Sequence, residues 1–448
     1  MDEILQRFLD EAPVAVMTRA TIARTVAGST LNEIFGRNAS EQYTRELTFS
    51  ALTGLMCKVV FRMYPSVNAA YQQTPDIPVS ITSVYNKLNG LETRVSQALV
   101  AETASSMGQI IASLPHAAAD EPVKGLRLLT LDGNSLAGTD HRLVPLRGSG
   151  AAALPGLSLV VRDGRTGLLT NVVPCEDAYA SERALYQAIL ALVQADDLWL
   201  GDRNFCTDNY LEGIASREAY YLIRHHAATT LHPLGRESRQ RHHPDGTISE
   251  QRVRVGVLEC RCIIIRLKEP LRDGTTEIRL LTNVPRNRLS ARKVSELYRT
   301  RWQIESAFQE LTESLRCEID TLGYPKAALF GFALAVVAYN VLVVTRTALA
   351  AGLGEEIGGE DALSSYHMAV EVASVDKGLS IAVSASVWER FVAMTASEFA
   401  GWLYEVSLQI DWRRYRKRPR GPKKPVTVKR TRRGAHRSTA RELIKSKK

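Results

Sequence analysis

The chain has 448 residues and a mass of 49.5 kDa, about three times the ~150 residues of one domain, so a sizeable core with accessory domains is expected and a mini-protein is excluded. Hydrophobic residues at 45%, charged residues at 23% and aromatics at 7% exclude a disordered or collagen-like chain. The net charge of +9 is unevenly spread: residues 412–448 hold 17 Lys and Arg against one acid, Glu442, and so carry +16, while the preceding 411 residues carry −7. A C-terminal stretch reading RRYRKRPRGPKK, VKRTRRG and RELIKSKK has the character of a flexible basic arm that neutralises phosphates; a merely solubilising terminus is the other reading.

The helical texture comes first. Residues 1–115 read as helical throughout, with LQRFLDEA, SEQYTRELTFSALTGLMCKVVFRMY and SITSVYNKLNGLETRVSQALVAETASS as its segments. A DNA-reading subdomain and a docking or oligomerisation domain fit these residues equally, because helix-turn-helix spacing is weakly specific. The start MDEILQRFLDEAP mixes acids with its apolar residues and has no basic segment, so a secretory signal is not expected and the protein is expected in the cytoplasm.

The pattern changes after Pro122. LRLLTLDG (126–133) reads as a buried strand, LSLVVRD (157–163) and TGLLTNVV (166–173) as a hairpin, and SERALYQAILALVQ (181–194) as an amphipathic helix. LWLGD (198–202) reads as a second buried strand, followed by a helix over 208–217 and the strand AYYLIRH (219–225). This alternation predicts an α/β fold with a mixed sheet. Residues 230–288 form a β-rich insertion within the core segments 122–229 and 289–411, and 412–448 is the basic tail. A helix is expected over 290–316.

Residues Ala327 to Val344 make an uncharged run of 18, at the lower edge of what spans a bilayer. Asn340, Gly331, five alanines and the absence of a second span favour a buried helix, and no membrane association is expected. Cys57, Cys175, Cys206, Cys260, Cys262 and Cys317 are scattered without a C-x-x-C pair, which predicts reduced thiols rather than a zinc site.

Asp132 in LTLDGNSL and Asp202 in LWLGDRNF each close a buried strand, where ligand sites of α/β sheets form and where a carboxylate is costly unless used. Aspartate as a plain turn former fits the same positions. On the 290–316 helix, at ~100° per residue, Tyr298, Arg301, Glu305 and Thr312 fall within roughly 60°, beside an apolar stripe of Leu297, Ile304, Phe308, Leu311 and Leu315. That stripe would dock the helix and set Glu305 along its edge, either as a third carboxylate of the site or as an ordinary salt-bridge partner. Glu296, Glu310 and Glu313 read as solvated surface charges. His225, His226, His232, His242 and His243 lack metal-site spacing, Ser135 and Ser306 have no base at motif spacing, and G-x4-GK[ST] does not occur.

The order LDG, GDRNF and YRTRWQIE resembles the DDE transposases of bacterial insertion sequences, the large insertion sequence four type family with a Y-x2-R-x3-E-x6-K signature. Here the signature stands as Tyr298, Arg301 and Glu305, with Thr312 in place of the lysine. The resemblance covers nearly the whole chain. It implies an RNase H-like core in which Asp132, Asp202 and Glu305 are catalytic and hold two Mg²⁺ ions, with Mn²⁺ as a substitute. It further implies that Tyr298 and Arg301 contact DNA phosphate, with Trp302 beside the signature and Arg316 one turn beyond Thr312 as further candidates. The implied partners are double-stranded DNA, as terminal inverted repeats and target, and a second copy of the chain in a homodimer on the bacterial nucleoid. The implied activity is DNA cleavage and strand transfer. A metal-dependent nuclease without joining activity and a silent DNA-binding derivative remain the alternatives.

Overall fold

The computed structural model describes residues 3–42, 44–115, 122–271, 273–354, 362–418 and 436–447. The chain opens with α1 (Glu3–Glu11), α2 (Pro13–Thr25), α3 (Gly28–Asn38), α4 (Phe49–Val60), α5 (Val67–Gln72), α6 (Ile81–Gly90) and α7 (Thr93–Ala112). Thr48, Ser66 and Ser80 start α4, α5 and α6 by accepting the otherwise orphaned N–H groups of Ala51, Ala69 and Ser83. Glu92, which precedes α7, instead reaches outward and accepts from the backbone N–H groups of Ser40 and Glu41.

Next in the chain come β1 (Arg127–Ser135), β2 (Ala152–Leu154), β3 (Leu157–Asp163), β4 (Leu169–Cys175), α8 (Tyr186–Leu190), β5 (Asp197–Gly201), α9 (Asp208–Ala215), β6 (Tyr220–Arg224), β7 (His232–Pro233), β8 (Arg241–His243), β9 (Gly246–Val255), β10 (Leu258–Leu267) and β11 (Glu277–Thr282), whose strands other than β2 form one mixed sheet. The order across it is β4-β3-β1-β5-β6-β11-β10-β9-β7, with β8 on β9. The central strands β1, β5 and β6 are parallel, and both flanks are antiparallel. The fold is therefore mixed α/β. The strands of the 230–288 segment do not stand apart: β11 pairs with β6, Leu281 opposite Ile223, so they continue the same sheet. Asn283 fastens this joint by accepting from Tyr221 N–H at 2.8 Å and donating to the Ala219 carbonyl at 2.9 Å.

Beyond the sheet run α10 (Ala291–Arg299), α11 (Trp302–Ser314), α12 (Pro325–Leu353), α13 (Ser365–Ala382), α14 (Ala385–Ala393), α15 (Ala396–Ser407), β12 (His436–Ser438) and α16 (Thr439–Lys445). The helix expected over 290–316 is thus two. At the junction the N–H groups of Thr300 and Arg301 bond three residues back, to Leu297 and Tyr298, a tighter turn that separates α10 from α11. The amphipathic helix expected over 181–194 shrinks to a 3₁₀ turn, Glu182–Leu185, and the short α8.

One hydrophobic core unites α1–α7 with α11–α15, with α12 at its centre. By length and composition α12 is long and apolar enough to cross a membrane, yet its most apolar window is entirely buried. Its one amide, Asn340, is fully buried and faces the open edge of β4: Oδ1 accepts from Leu169 N–H and Nδ2 donates to Leu169 C=O, both at 2.8 Å. Two further cores lie on opposite faces of the sheet, one under α8 and α9 and the other under α10. Glu310 is no solvated charge. It pairs with the buried Arg346 at 3.1 Å and accepts from Ser365 at 2.9 Å, contacts that outweigh its burial and hold its carboxyl below the ordinary range.

The basic stretch from residue 412 is anchored at both ends. Trp412 and Tyr415 are buried in a 3₁₀ turn. β12 pairs in parallel with β2, and Leu443 of α16 packs on Leu143, Leu146 and Ala153. Arg441 donates to Asp177 at 2.8 Å, Ser438 donates to it at 2.7 Å, and the Tyr179 hydroxyl donates to the His436 carbonyl. Residues 419–435, where the arm has seven Lys and Arg and no acid, lie outside the described residues.

Candidate active site

Two parallel neighbours at the centre of the sheet bring the first two carboxylates level. β1 and β5 pair from Arg127–Asp197 to Thr130–Leu200, and two residues further along each strand stand Asp132 and Asp202. This is the carboxyl edge of the parallel strands, where α/β sheets open a crevice. Asp202 leaves β5 and caps the 3₁₀ turn Arg203–Phe205 by accepting from Asn204 N–H at 2.8 Å. Asp132 stays in β1, and its Oδ1 accepts from Gly133 N–H at 2.9 Å.

Glu305, in the first turn of α11, joins them from the adjoining helix. The link is Arg301. Its guanidinium donates through Nη1 to Asp132 Oδ2 at 3.2 Å and through Nη2 to Glu305 Oε1 at 2.6 Å. Burial pushes the Asp132 carboxyl up to about 6; Arg301 and the Gly133 N–H oppose the shift, while Asp202 and Glu305 reinforce it. Asp132 therefore lies within electrostatic reach of both Asp202 and Glu305.

Tyr298, on the last turn of α10, is pushed up to about 12 by burial, with Arg301 and Arg224 working against the shift and Asp202 adding to it. Its hydroxyl belongs to the same cluster. Trp302 is 63% exposed, with the Arg301 guanidinium 5.4 Å from its ring centroid. Arg316 is directed elsewhere: its N–H donates to Val60 C=O at 2.8 Å and its guanidinium to Pro65 C=O. Thr312 faces the same cleft of about 340 Å³, lined also by Arg62 and Glu318. Arg62 donates to the carbonyls of Thr312 and Leu315 and so closes the C-terminal end of α11. Arg316 thus braces the helical region, and Tyr298, Arg301 and Trp302 stay with the carboxylates.

Sequence reasoning missed Glu182. Its Oε1 lies against Gly133, where an added Cβ would come within 2.0 Å, and its Oε2 accepts from Asn204 Nδ2 at 3.4 Å. Burial raises its carboxyl, and the charge of Asp202 adds to the shift. The bare Gly after Asp132 was the available signal, since it leaves room for a neighbour. Arg183 holds the same loop by donating to Asn204 C=O at 2.9 Å.

Asp132, Asp202 and Glu305 offer oxygen atoms alone, a donor set for hard divalent cations. Among the described residues no three His, Cys, Asp or Glu side chains converge closely enough to clasp an ion as they stand; the Arg301 guanidinium spans two of the three. Two of the histidines noted in the sequence make structural contacts. His243, buried, bonds Ser295 at 3.0 Å, and His225 bonds the Thr229 carbonyl at 2.8 Å.

No curated protein matches this chain. Among solved structures, it is similar to a piggyBac transposase in a synaptic complex with hairpin DNA, at 12% identity and a TM-score of 0.41, covering 85% of this chain and 84% of that one. Residues 140–341, somewhat under half of the sequence and including Asp202 and Glu305, match the family described as the transposase DDE domain.

Proposed function

We infer that the protein is a DDE transposase of the bacterial insertion sequence four type, with an RNase H-like core, that binds the terminal inverted repeats of its own element, cleaves DNA and joins the freed ends to a target. The observation that supports this reading best is the level placement of Asp132 and Asp202 at the carboxyl edge of β1 and β5, with Arg301 bridging Asp132 to Glu305; Asp202 and Glu305 lie within the stretch that matches the transposase DDE domain. The enzyme works as a homodimer on two DNA ends, in the cytoplasm and on the nucleoid.

The three carboxylates would hold two Mg²⁺ ions, and such ions would supply Lewis-acid stabilisation of the attacking and leaving oxygens. The chain's own part is to fix that geometry. Asp132 sits on the paired strand β1, Asp202 caps the turn that leaves β5, and Glu305 is delivered by α11, whose buried Ile304 and Leu311 pack it into the core. Tyr298, Arg301 and Trp302 bind the DNA beside the cut, the guanidinium on a phosphate and the exposed indole against a base. The arm of residues 419–435 adds sequence-independent contacts to the duplex.

The test uses DNA carrying the sequences that flank the protein's own gene, with wild type and Glu305→Gln compared in Mg²⁺ and in EDTA. Nicking that exposes 3′ ends and joining to a second DNA, both lost in the variant and in EDTA, is the expected result. Cutting without joining would mean a nuclease. Binding without cutting would mean a silent derivative.

A further inference from the structure

Three carboxylates share one edge of the site, and the cation in direct contact with two of them is Arg301. Its guanidinium bridges Asp132 Oδ2 and Glu305 Oε1, and its side chain is only 11% exposed. Yet it is not locked in place. The Asp132 bond is long, at 3.2 Å, and Nε is buried with no hydrogen-bond partner. The residue occupies the break between α10 and α11 rather than a helix interior, and the guanidinium already lies 5.4 Å from the centroid of the exposed Trp302 ring, which leads from the carboxylates toward solvent.

Resting on the functional reading above, we propose that Arg301 is the internal counter-cation of the site, displaced when a divalent cation takes Asp132 and Glu305, and that the displaced guanidinium then binds a DNA phosphate. One side chain thereby couples the two ligands. A metal ion must expel the guanidinium to bind, a process opposed by the loss of both ion pairs. A DNA phosphate placed over Trp302 gives the expelled group a new partner and removes that opposition. Metal tightens DNA and DNA tightens metal by the same factor, as linkage requires. The exchange also keeps the carboxylates paired, and the site poorly receptive to metal, until DNA arrives.

The experiment is Mn²⁺ binding followed by electron paramagnetic resonance, with and without a short DNA duplex. It compares wild type, Arg301→Gln, Arg301→Lys and Arg299→Gln. Arg299 carries the same charge on α10 but pairs with Asp245, so its variant controls for charge alone. Without DNA, Arg301→Gln is expected to bind Mn²⁺ about tenfold more tightly than wild type, within the usual range of coupling between sites, and Arg299→Gln to match wild type. DNA should tighten Mn²⁺ binding about tenfold in wild type and scarcely at all in Arg301→Gln. Arg301→Lys, a point charge that cannot bridge two carboxylates in the same way, should fall between.

Equal or weaker Mn²⁺ binding by Arg301→Gln overturns the exchange and leaves the transposase reading standing. If that variant does not fold, wild type decides alone, because Mn²⁺ affinity that is indifferent to DNA also overturns it. A wild type that binds no Mn²⁺, with or without DNA, refutes the metal-dependent function itself.

Discussion

Replacing Asn340 by Leu should destabilise the protein, although every sequence scale scores the change as an improvement. Leucine is the better helix former and the more apolar side chain, and the apolar stretch of α12 around Asn340 is entirely buried. But Asn340 serves the open edge of the sheet as a one-residue strand, satisfying both the N–H and the C=O of Leu169. The variant orphans two backbone groups where water does not reach, at ~1–3 kcal/mol each, for a cost of about 2–6 kcal/mol. Burial of the leucine returns about 1–2 kcal/mol, so a net loss of about 0–5 kcal/mol, centred on about 2–3 kcal/mol, is expected. Urea unfolding measures the total, and hydrogen exchange at the Leu169 amide locates it. A variant as stable as wild type, with that amide still protected, would refute the reasoning.

Other outcomes follow from single contacts. Burial raises the Glu92 carboxyl, but the N–H groups of Ser40 and Glu41, the Ser40 hydroxyl and Arg94 outweigh it and hold it down to about 2. A folded value below the unfolded one adds stability that is present above about pH 4.5 and is lost as pH falls toward 2, up to about 3 kcal/mol. Glu92→Gln should therefore be less stable at pH 7 and nearly equal to wild type at pH 2 in thermal melts. Arg346→Met should cost about 1–3 kcal/mol, because Glu310 loses its buried partner but keeps Ser365 and Lys417, and adding Glu310→Leu should recover much of it. For Arg441→Glu, global stability should scarcely move, because the pair with Asp177 lies at the surface and is screened by solvent. Limited proteolysis should nonetheless cut ahead of β12 faster, and Asp177→Arg in the same chain should slow it again.

The strands that position the site were legible because their signals are local. LSLVVRD matches β3 residue for residue, and the two aspartates stood out by closing apolar runs that become β1 and β5. What failed were features decided by partners distant in sequence. Periodicity carries smoothly through Thr300 and Arg301, so it showed one helix where the Asp132–Arg301–Glu305 bridge sits at a break between two. Alternation marked β9–β11 as strands but not that β6 had an open edge to receive them. Glu310 looked solvated because its partner Arg346 lies on another helix. Glu182 carried no signal of its own, since its place depends on a loop folding back over Gly133.

The pairing of β12 with β2 has a consequence for synthesis. β2 and the apolar surface of Leu143, Leu146 and Ala153 emerge from the ribosome early, while the strand and helix that cover them, β12 and α16, are translated after the sheet and the helical core are complete. That surface stays open throughout elongation and closes only once residues 436–445 are free to reach back. A nonsense or frameshift mutation that spares every residue of the candidate site but removes those codons would thus leave an uncovered apolar patch beside the Asp177 loop, prone to self-association. Gene copies cut short in this way should yield aggregated protein rather than a soluble, shortened enzyme.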